Sequence, residues 1–171
     1  MKDIVIHDDF ITPAEGKFIE NVCLGQIKWE FNQQKVYPSS DSKVLDYQFT
    51  CVLFDTYSMD KHNNVSAIYP IINKIETTKK IGSIRRIKVN LEPCIPEKVY
   101  SDFHTDYPDG QPDMKVGIYY VNTCNGYTEF EDGSKVESVK GRFVEFPNKI
   151  KHRGVSQTDS KYRLVINFNW F

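Results

Sequence analysis

Two textures of hydrophobic and polar positions divide the chain near residue 84. Beyond it, short runs of β-branched and aromatic residues follow one another at 84–91, 99–105, 115–122, 127–131, 135–139, 143–146, 151–155 and 162–170. Turn-forming pairs punctuate them, among them Asp109-Gly110, Asp132-Gly133 and Lys140-Gly141. Short strands at such spacing predict a double-sheet jelly roll. Before residue 84 helical periods appear. Thr12-Pro13-Ala14-Glu15 puts Thr at an N-cap, Pro at the first helical position and Glu at the third, a capping box. The helix should run to about Leu24 and stop at Gly25, with Phe18, Ile19, Val22 and Cys23 along one face. Val65, Ile68, Ile72 and Ile75 give a second helical stretch over 63–80, in which Pro70 either kinks the helix or starts a new one. Strands are expected at 4–6, 29–31 and 44–54, with 32–42 a loop. In 44–54, Leu45, Tyr47, Phe49, Cys51 and Leu53 lie opposite Asp46, Gln48 and Thr50, the alternation of a half-buried strand. The expected fold is therefore mainly β (α+β): a helical support over about 1–82 buttressing a jelly-roll core over about 83–171, in one domain spanning 1–171.

Composition narrows the function classes. At 171 residues the chain suits one domain with a substantial core. Basic and acidic residues number 22 and 23, so no global field recruits nucleic acid or anionic membrane, and neither is expected as a partner. The apolar run Ile4-Val5-Ile6 is too short for a signal peptide, and no membrane-length apolar run occurs; a soluble, cytoplasmic protein is expected, monomeric or dimeric. Cys23, Cys51, Cys94 and Cys124 form no Cys-x-x-Cys pair, so free thiols are expected rather than a zinc knuckle or disulfide framework.

The candidate chemistry centres on Phe103-His104-Thr105-Asp106-Tyr107. On a strand, His104 and Asp106 point to the same side and Thr105 to the other. With His152 arriving from a distant strand, they would form a two-His, one-carboxylate triad that leaves positions open on an iron(II) ion. Arg163, beyond the second His, has the planar fork to hold the far carboxylate of a dicarboxylic co-substrate. His152 and Arg163 flank a reversal near Gln157 and Thr158, and two antiparallel strands joined there would bring them close. On the last strand Arg163, Val165, Asn167 and Asn169 share a face, which is costly turned inward without a polar ligand and ordinary turned to water. Tyr120 shares a face with Ile118 and Asn122 and can donate to the acid that Arg163 grips; a one-residue slip would give that place to Tyr119. Arg86, Lys88 and Asn90 face one way on their strand, and Asn90 either reaches the co-substrate or substrate or is solvated with its row. Lys149, Lys151 and Arg153 bracket His152, and His7 and His62 read as surface residues.

With these residues in view, the chain resembles 2-oxoglutarate- and iron(II)-dependent oxygenases of the prolyl-4-hydroxylase-like branch, in particular small stand-alone members from phages and bacteria. The resemblance runs through the opening Ile-x-Asp-Asp-Phe, residues 84–91, His104-Thr105-Asp106, Ile118-Tyr119-Tyr120-Val121-Asn122, Asn125-Gly126-Tyr127-Thr128-Glu129-Phe130, His152, Arg163 and Asn167-Phe168-Asn169. It implies iron on His104, Asp106 and His152, and 2-oxoglutarate held by Arg163, Tyr120, Asn90 and Asn167. Tyr107 and Asn169 would meet the substrate. Oxygen would be consumed, with ascorbate as an accessory reductant, and succinate and carbon dioxide released. The implied acceptor is a prolyl residue in a protein or peptide. The alternatives are a small molecule such as a free amino acid, a nucleic acid, or a non-enzymatic jelly roll with a structural metal. Many relatives carry Ser or Thr two residues past the Arg where this chain has Val165, so a second hydroxyl contact to the acid must come from elsewhere. The chain also lacks the nucleotide-gripping segment expected of a base demethylase and the peptide-binding domain of the collagen enzymes.

Overall fold

The computed structural model describes residues 3–36, 45–78, 81–107, 111 and 113–171. The expectations at Val44, Asp109-Gly110, Pro38, Pro108 and Pro112 fall outside these. Among the described residues the chain runs β1 (Val5–His7), α1 (Pro13–Gly25), β2 (Glu30–Asn32), β3 (Gln48–Asp55), β4 (Asp60–Lys61), a 3-10 turn (Asn63–Ile68) and α2 (Tyr69–Thr78). Then follow β5 (Ile84–Pro93), β6 (Lys115–Tyr120), β7 (Tyr127–Phe130), β8 (Lys135–Glu137), β9 (Phe143–Pro147), β10 (His152–Val155) and β11 (Tyr162–Trp170). Eight strands form the larger sheet, in the order β1-β9-β6-β11-β5-β3-β2 with β4 beside β3, and β10-β7-β8 form a smaller one. All pairings are antiparallel. The result is the double-sheet jelly roll.

Alternation along the strands sorts side chains into two cores. On the outer face of the larger sheet, Ile87, Val89, Leu164, Ile166, Phe168 and Trp170 pack against Ile19, Val22 and Cys23 of α1 and Ile71 and Ile75 of α2. The helices therefore buttress one sheet from outside. Between the sheets, Val116, Ile118, Tyr120, Val144, Phe146 and Val165 meet Phe130 and Val136 of the smaller sheet. That places Tyr120 between the sheets and Tyr119 on the helix side, which resolves the register of the Tyr pair. Leu164, Ile166 and Phe168 being outward, Arg163, Val165, Asn167 and Asn169 line the inner face.

The capping box forms as the residues predict: the Thr12 side chain accepts from the Glu15 backbone N–H at 3.3 Å while Glu15 reaches back to the Thr12 N–H at 2.9 Å. Pro70 marks a new start, because the turn before it is 3-10 and α2 begins at Tyr69. Gly133 and Gly141 sit at φ +83° and +85°, as their reversals require. Three readings change. Phe18 is exposed, so the buried face of α1 is narrower than its apolar spacing. Gln48 and Thr50 are buried, because the polar edge of β3 faces the space between the sheets rather than water. His7 is half-buried against Phe10 and Phe143, and His62 caps the 3-10 turn by accepting from the Asn64 N–H. No helix of the described residues is long and apolar enough to cross a membrane.

Candidate active site

The His-x-Asp triplet does not lie on a regular strand. Pairing across 99–105 reduces to two isolated bridges on the edge of β10 away from β7, Tyr100 with Val155 and His104 with His152. The second bridge is enough. The His104 N–H donates to the His152 carbonyl and the His152 N–H to the His104 carbonyl, both at 3.0 Å, setting the imidazoles side by side with ring centroids 4.7 Å apart. Ligand atoms of His104, Asp106 and His152 all lie within 4.8 Å of one another.

The hydrogen bonds around this trio assign its lone pairs. Nδ1 of His104 lies 3.2 Å from the Asp102 carbonyl and Nδ1 of His152 lies 3.5 Å from the Ile150 carbonyl. A carbonyl only accepts, so each Nδ1 carries the proton and each Nε2 presents a lone pair. Those Nε2 atoms face Asp106 Oδ1 at 3.8 and 3.5 Å. The other carboxylate oxygen, Oδ2, accepts from Asn169 Nδ2 at 2.7 Å and lies 3.6 Å from the Arg86 guanidinium. Burial pushes His152 down to about 4, so it is neutral at ordinary pH. Burial works against the Asp106 carboxylate, but the charges that His152 and His104 take on in acid, with the Arg86 guanidinium and the Asn169 amide, outweigh it and hold the carboxyl down to about 2. Three acceptors thus converge, Asp106 and His152 buried and His104 partly open to solvent, with no donor between them. A divalent cation satisfies all three, and two imidazoles with one carboxylate on a single side suit ferrous iron with positions left for ligands.

From the trio a cavity runs between the sheets, lined along β5 by Lys88, Asn90 and Glu92 and along β11 by Asn167, Val165 and Arg163. Thr128 and Gly154 of the smaller sheet line the opposite wall. The row on β5 is therefore not solvated as a sheet face. Arg163, buried at the far end, donates from Nε to Ser138 Oγ (2.9 Å), from Nη1 to Glu92 Oε1 (2.8 Å) and from Nη2 to Thr128 Oγ1 (3.2 Å). Five guanidinium N–H groups minus these three bonds leaves two for a ligand. The Tyr120 hydroxyl, fully buried and not part of the lining, donates to Thr128 Oγ1 at 2.7 Å. With both lone pairs of Thr128 engaged, its own proton is free for an acceptor in the cavity. Thr128 thus presents a hydroxyl to the cavity beside Arg163, where Val165 has none, with Tyr120 behind it.

Glu92 gives this end its character. It is buried between Arg163 and Lys35, whose Nζ lies 2.9 Å from Glu92 Oε2 and 3.4 Å from Asp46 Oδ1. Burial pushes the Glu92 carboxyl up, but the charges and hydrogen bonds of Lys35 and Arg163 outweigh it and leave it below the ordinary value. The expected pairing of the His152 and Arg163 strands does not occur: β10 joins the smaller sheet and β11 the centre of the larger one, so the two residues face the cavity from opposite walls. Gln157, at the reversal, is buried and donates to the Glu92 carbonyl at 2.9 Å.

The remaining candidates distribute as follows. Asn90 and Asn167 line the cavity, each with a buried Oδ1 that has no partner. Asn169 is fully buried, giving its amide to Asp106 and accepting from Arg86 Nε at 3.2 Å, so it orients the Asp106 carboxylate. Tyr107 sits beside the triad under Arg86, whose guanidinium carbon lies 4.9 Å from the ring centroid. Lys151 and Arg153 pair with Glu131 and Glu129. Lys35, Glu92 and Ser138 escaped the sequence reading, which named Lys88 and Thr128 without giving them a place in the site. Glu92 and Lys88 continue the Arg86-Asn90 alternation, and Thr128 stands two residues before Phe130 on its strand; Lys35 comes from an irregular segment with no periodic signal.

Fold and site together define a jelly roll with a two-His, one-carboxylate centre at one end of an inter-sheet cavity. The chain matches no protein-family model and no curated protein. Among solved structures it superposes on a prolyl hydroxylase from Trichoplax adhaerens in complex with a hypoxia inducible factor peptide fragment, at TM-score 0.70 and 13% identity, covering 99% of this chain and 83% of that one. A viral collagen prolyl hydroxylase from Paramecium Bursaria Chlorella virus-1, in a 2-oxoglutarate complex, matches at TM-score 0.61 and 15% identity over 98% and 94% of the two chains. An oxidoreductase of the 2OG-Fe(II) oxygenase family from Burkholderia pseudomallei matches at TM-score 0.66 and 11% identity over 99% and 84%. The fold is that of the 2-oxoglutarate oxygenases.

Proposed function

We propose that this protein is a 2-oxoglutarate- and iron(II)-dependent oxygenase that hydroxylates a prolyl residue in a protein or peptide. The observation that carries the reading is the convergence of His104 Nε2, His152 Nε2 and Asp106 Oδ1 at the open end of a cavity whose closed end holds Arg163 and Thr128. When bound, iron with 2-oxoglutarate and oxygen supplies the oxidising chemistry, placing one oxygen atom in the substrate and the other in succinate as carbon dioxide leaves. The chain's residues do the positioning. Asn169 and Arg86 hold the rear of Asp106 so that Oδ1 faces the two imidazoles and would be free to hold the ion with them, and the Asp102 and Ile150 carbonyls fix both imidazole tautomers. Arg163 and Thr128 offer donors to the acid's distal carboxylate, and Phe130 and Phe146 pack their rings against His152. The prolyl acceptor is supported by the names of the Trichoplax and Chlorella virus neighbours.

The test is incubation with iron(II), 2-oxoglutarate and either proline-containing peptides or free proline. Succinate is measured, and product is followed by mass spectrometry for a gain of one oxygen. The expected result is peptide-dependent succinate formation with oxygen gained on proline, both lost in His152→Ala. Oxidation of free proline alone would move the substrate class to small molecules, and absence of succinate under every condition would overturn the oxygenase reading.

A further inference from the structure

Lys88 is the cation of this cavity that has no carboxylate of its own. Lys35 pairs with Asp46 and Glu92, Arg163 with Glu92, and Arg86 with Asp106. Lys88 makes no hydrogen bond or salt bridge among the described residues, yet it stands on the lining face of β5. Its neighbours are in the same condition. Asn90 follows it two residues along the same face, and Asn167 is its partner in register on β11. Both are cavity-lining carboxamides whose side chains make no hydrogen bond, and their Oδ1 atoms are buried. An ammonium flanked by two idle amides is a cluster of donors held ready, since each amide presents its NH2 group by a half-turn about its last bond.

The charges nearby say what belongs there. At the closed end, Arg163 and Lys35 are already balanced by Glu92 and Asp46, so an incoming carboxylate beside Arg163 meets a neutral cluster and the negative Glu92. Asp106, the remaining acid of the cavity, turns one oxygen to Asn169 and Arg86 and the other to the imidazoles. A half-buried ammonium that makes no salt bridge or hydrogen bond, and that shares the charge of Asp106 with Arg86, is costly, and a carboxylate relieves that cost while the amides complete its hydrogen bonding.

We propose that Lys88, with Asn90 and Asn167, is a carboxylate-binding site separate from Arg163. The carboxylate comes from one of two sources: 2-oxoglutarate itself, which rests on the oxygenase reading above, or an acidic group of the substrate, which does not. In either case the chemistry recognised is a single carboxylate in reach of one ammonium and two carboxamides.

The test uses 15N-labelled full-length protein and the side-chain amide signals of Asn90 and Asn167, assigned by Asn→Asp substitution. Acetate and 2-oxoglutarate are titrated into the metal-free and Mn(II)- or Zn(II)-loaded protein, the diamagnetic zinc form serving for NMR. Acetate is also titrated into protein saturated with 2-oxoglutarate. Affinities are read by calorimetry for the native chain, Lys88→Met and Lys88→Arg. Saturable movement of both amides is expected, with affinity ~10-fold to ~100-fold weaker in Lys88→Met and partly restored in Lys88→Arg. If 2-oxoglutarate saturation abolishes the acetate response, the co-substrate fills the site; if the response persists, the site serves the substrate. If 2-oxoglutarate does not bind but acetate still moves the amides, the oxygenase reading fails and this one stands. Amides unmoved by either acid, or affinities unchanged in Lys88→Met, overturn the proposal. Melting of the unliganded Lys88→Met protein at or above the native temperature shows that any loss of binding is not unfolding.

Discussion

At the scale of single residues, the site is decided by what stands behind the ligating atoms. Asn169 is buried two positions beyond Asn167, with its amide on Asp106 and its carbonyl on Arg86. Asn169→Ala should leave the triad in place but free Asp106 to turn, weakening metal affinity ~10-fold to ~100-fold; calorimetry with Mn(II) measures it, and an unchanged affinity removes Asn169 from its positioning role. Glu92 makes a second residue-scale prediction. Its folded pKa lies below the unfolded one because Lys35 and Arg163 outweigh its burial, so the unfolded chain binds the extra proton as pH falls. The stability it contributes is present above about pH 4.5 and is lost as pH falls below that value. Urea midpoints from pH 7 down to 3 should therefore drop on the acid side, and the drop should be shallower in Glu92→Gln. At neutral pH the same substitution leaves the buried Arg163 without a carboxylate and Lys35 with Asp46 alone, and should cost about 3–5 kcal/mol.

Elements carry the next level. α1 is built from a cap and a narrow apolar stripe, so Thr12→Ala should remove about 1 kcal/mol of stability, read as a lower urea midpoint with unchanged slope. Between β6 and β7, Gly126 lets the Arg163 side chain pass. A Cβ there would stand 2.8 Å from Arg163 Cδ and 2.9 Å from the Val155 carbonyl oxygen. The backbone oxygen cannot swing aside, so Gly126→Ala must displace Arg163 and should weaken 2-oxoglutarate binding more than it changes metal binding. Equal losses of both would show a general collapse of the site. The irregular segment carrying His104 has a similar economy: one reciprocal backbone bridge to His152 fixes both imidazoles where a full strand pairing is absent.

Over the whole molecule, the larger sheet is the wall against which both the helices and the cavity are assembled. Its outer face buries α1 and α2, while its inner face carries the polar residues of β5 and β11. Lys35, from the segment before β3, reaches across to Glu92 and Asp46 and ties the N-terminal part to the closed end of the cavity. Because the triad is assembled only in the folded chain, a divalent metal that it holds should raise stability by about 2.7 kcal/mol at a free concentration 100 times its Kd. Thermal melts with Mn(II) should rise accordingly in the native protein and not in His152→Ala.

Local chemistry alone determined much of this. Thr12, Pro13 and Glu15 start a helix by satisfying its first N–H groups from neighbouring residues, and the period-two runs after residue 84 make strands because one face of each must be buried. The same alternation put Arg163, Asn167 and Asn169 on one side, and the pattern of His104, Asp106 and His152 marked three side chains whose ligand atoms converge. Tertiary structure decided what depends on distant partners: that β10 and β11 part into different sheets, that Tyr120 rather than Tyr119 turns inward, that the Thr128 hydroxyl comes beside Arg163, and that Glu92 lies between Lys35 and Arg163. Spacing along a chain fixes the face a side chain takes, whereas the charge it meets across a cavity depends on which strands the sheets bring together, and no local pattern encodes that.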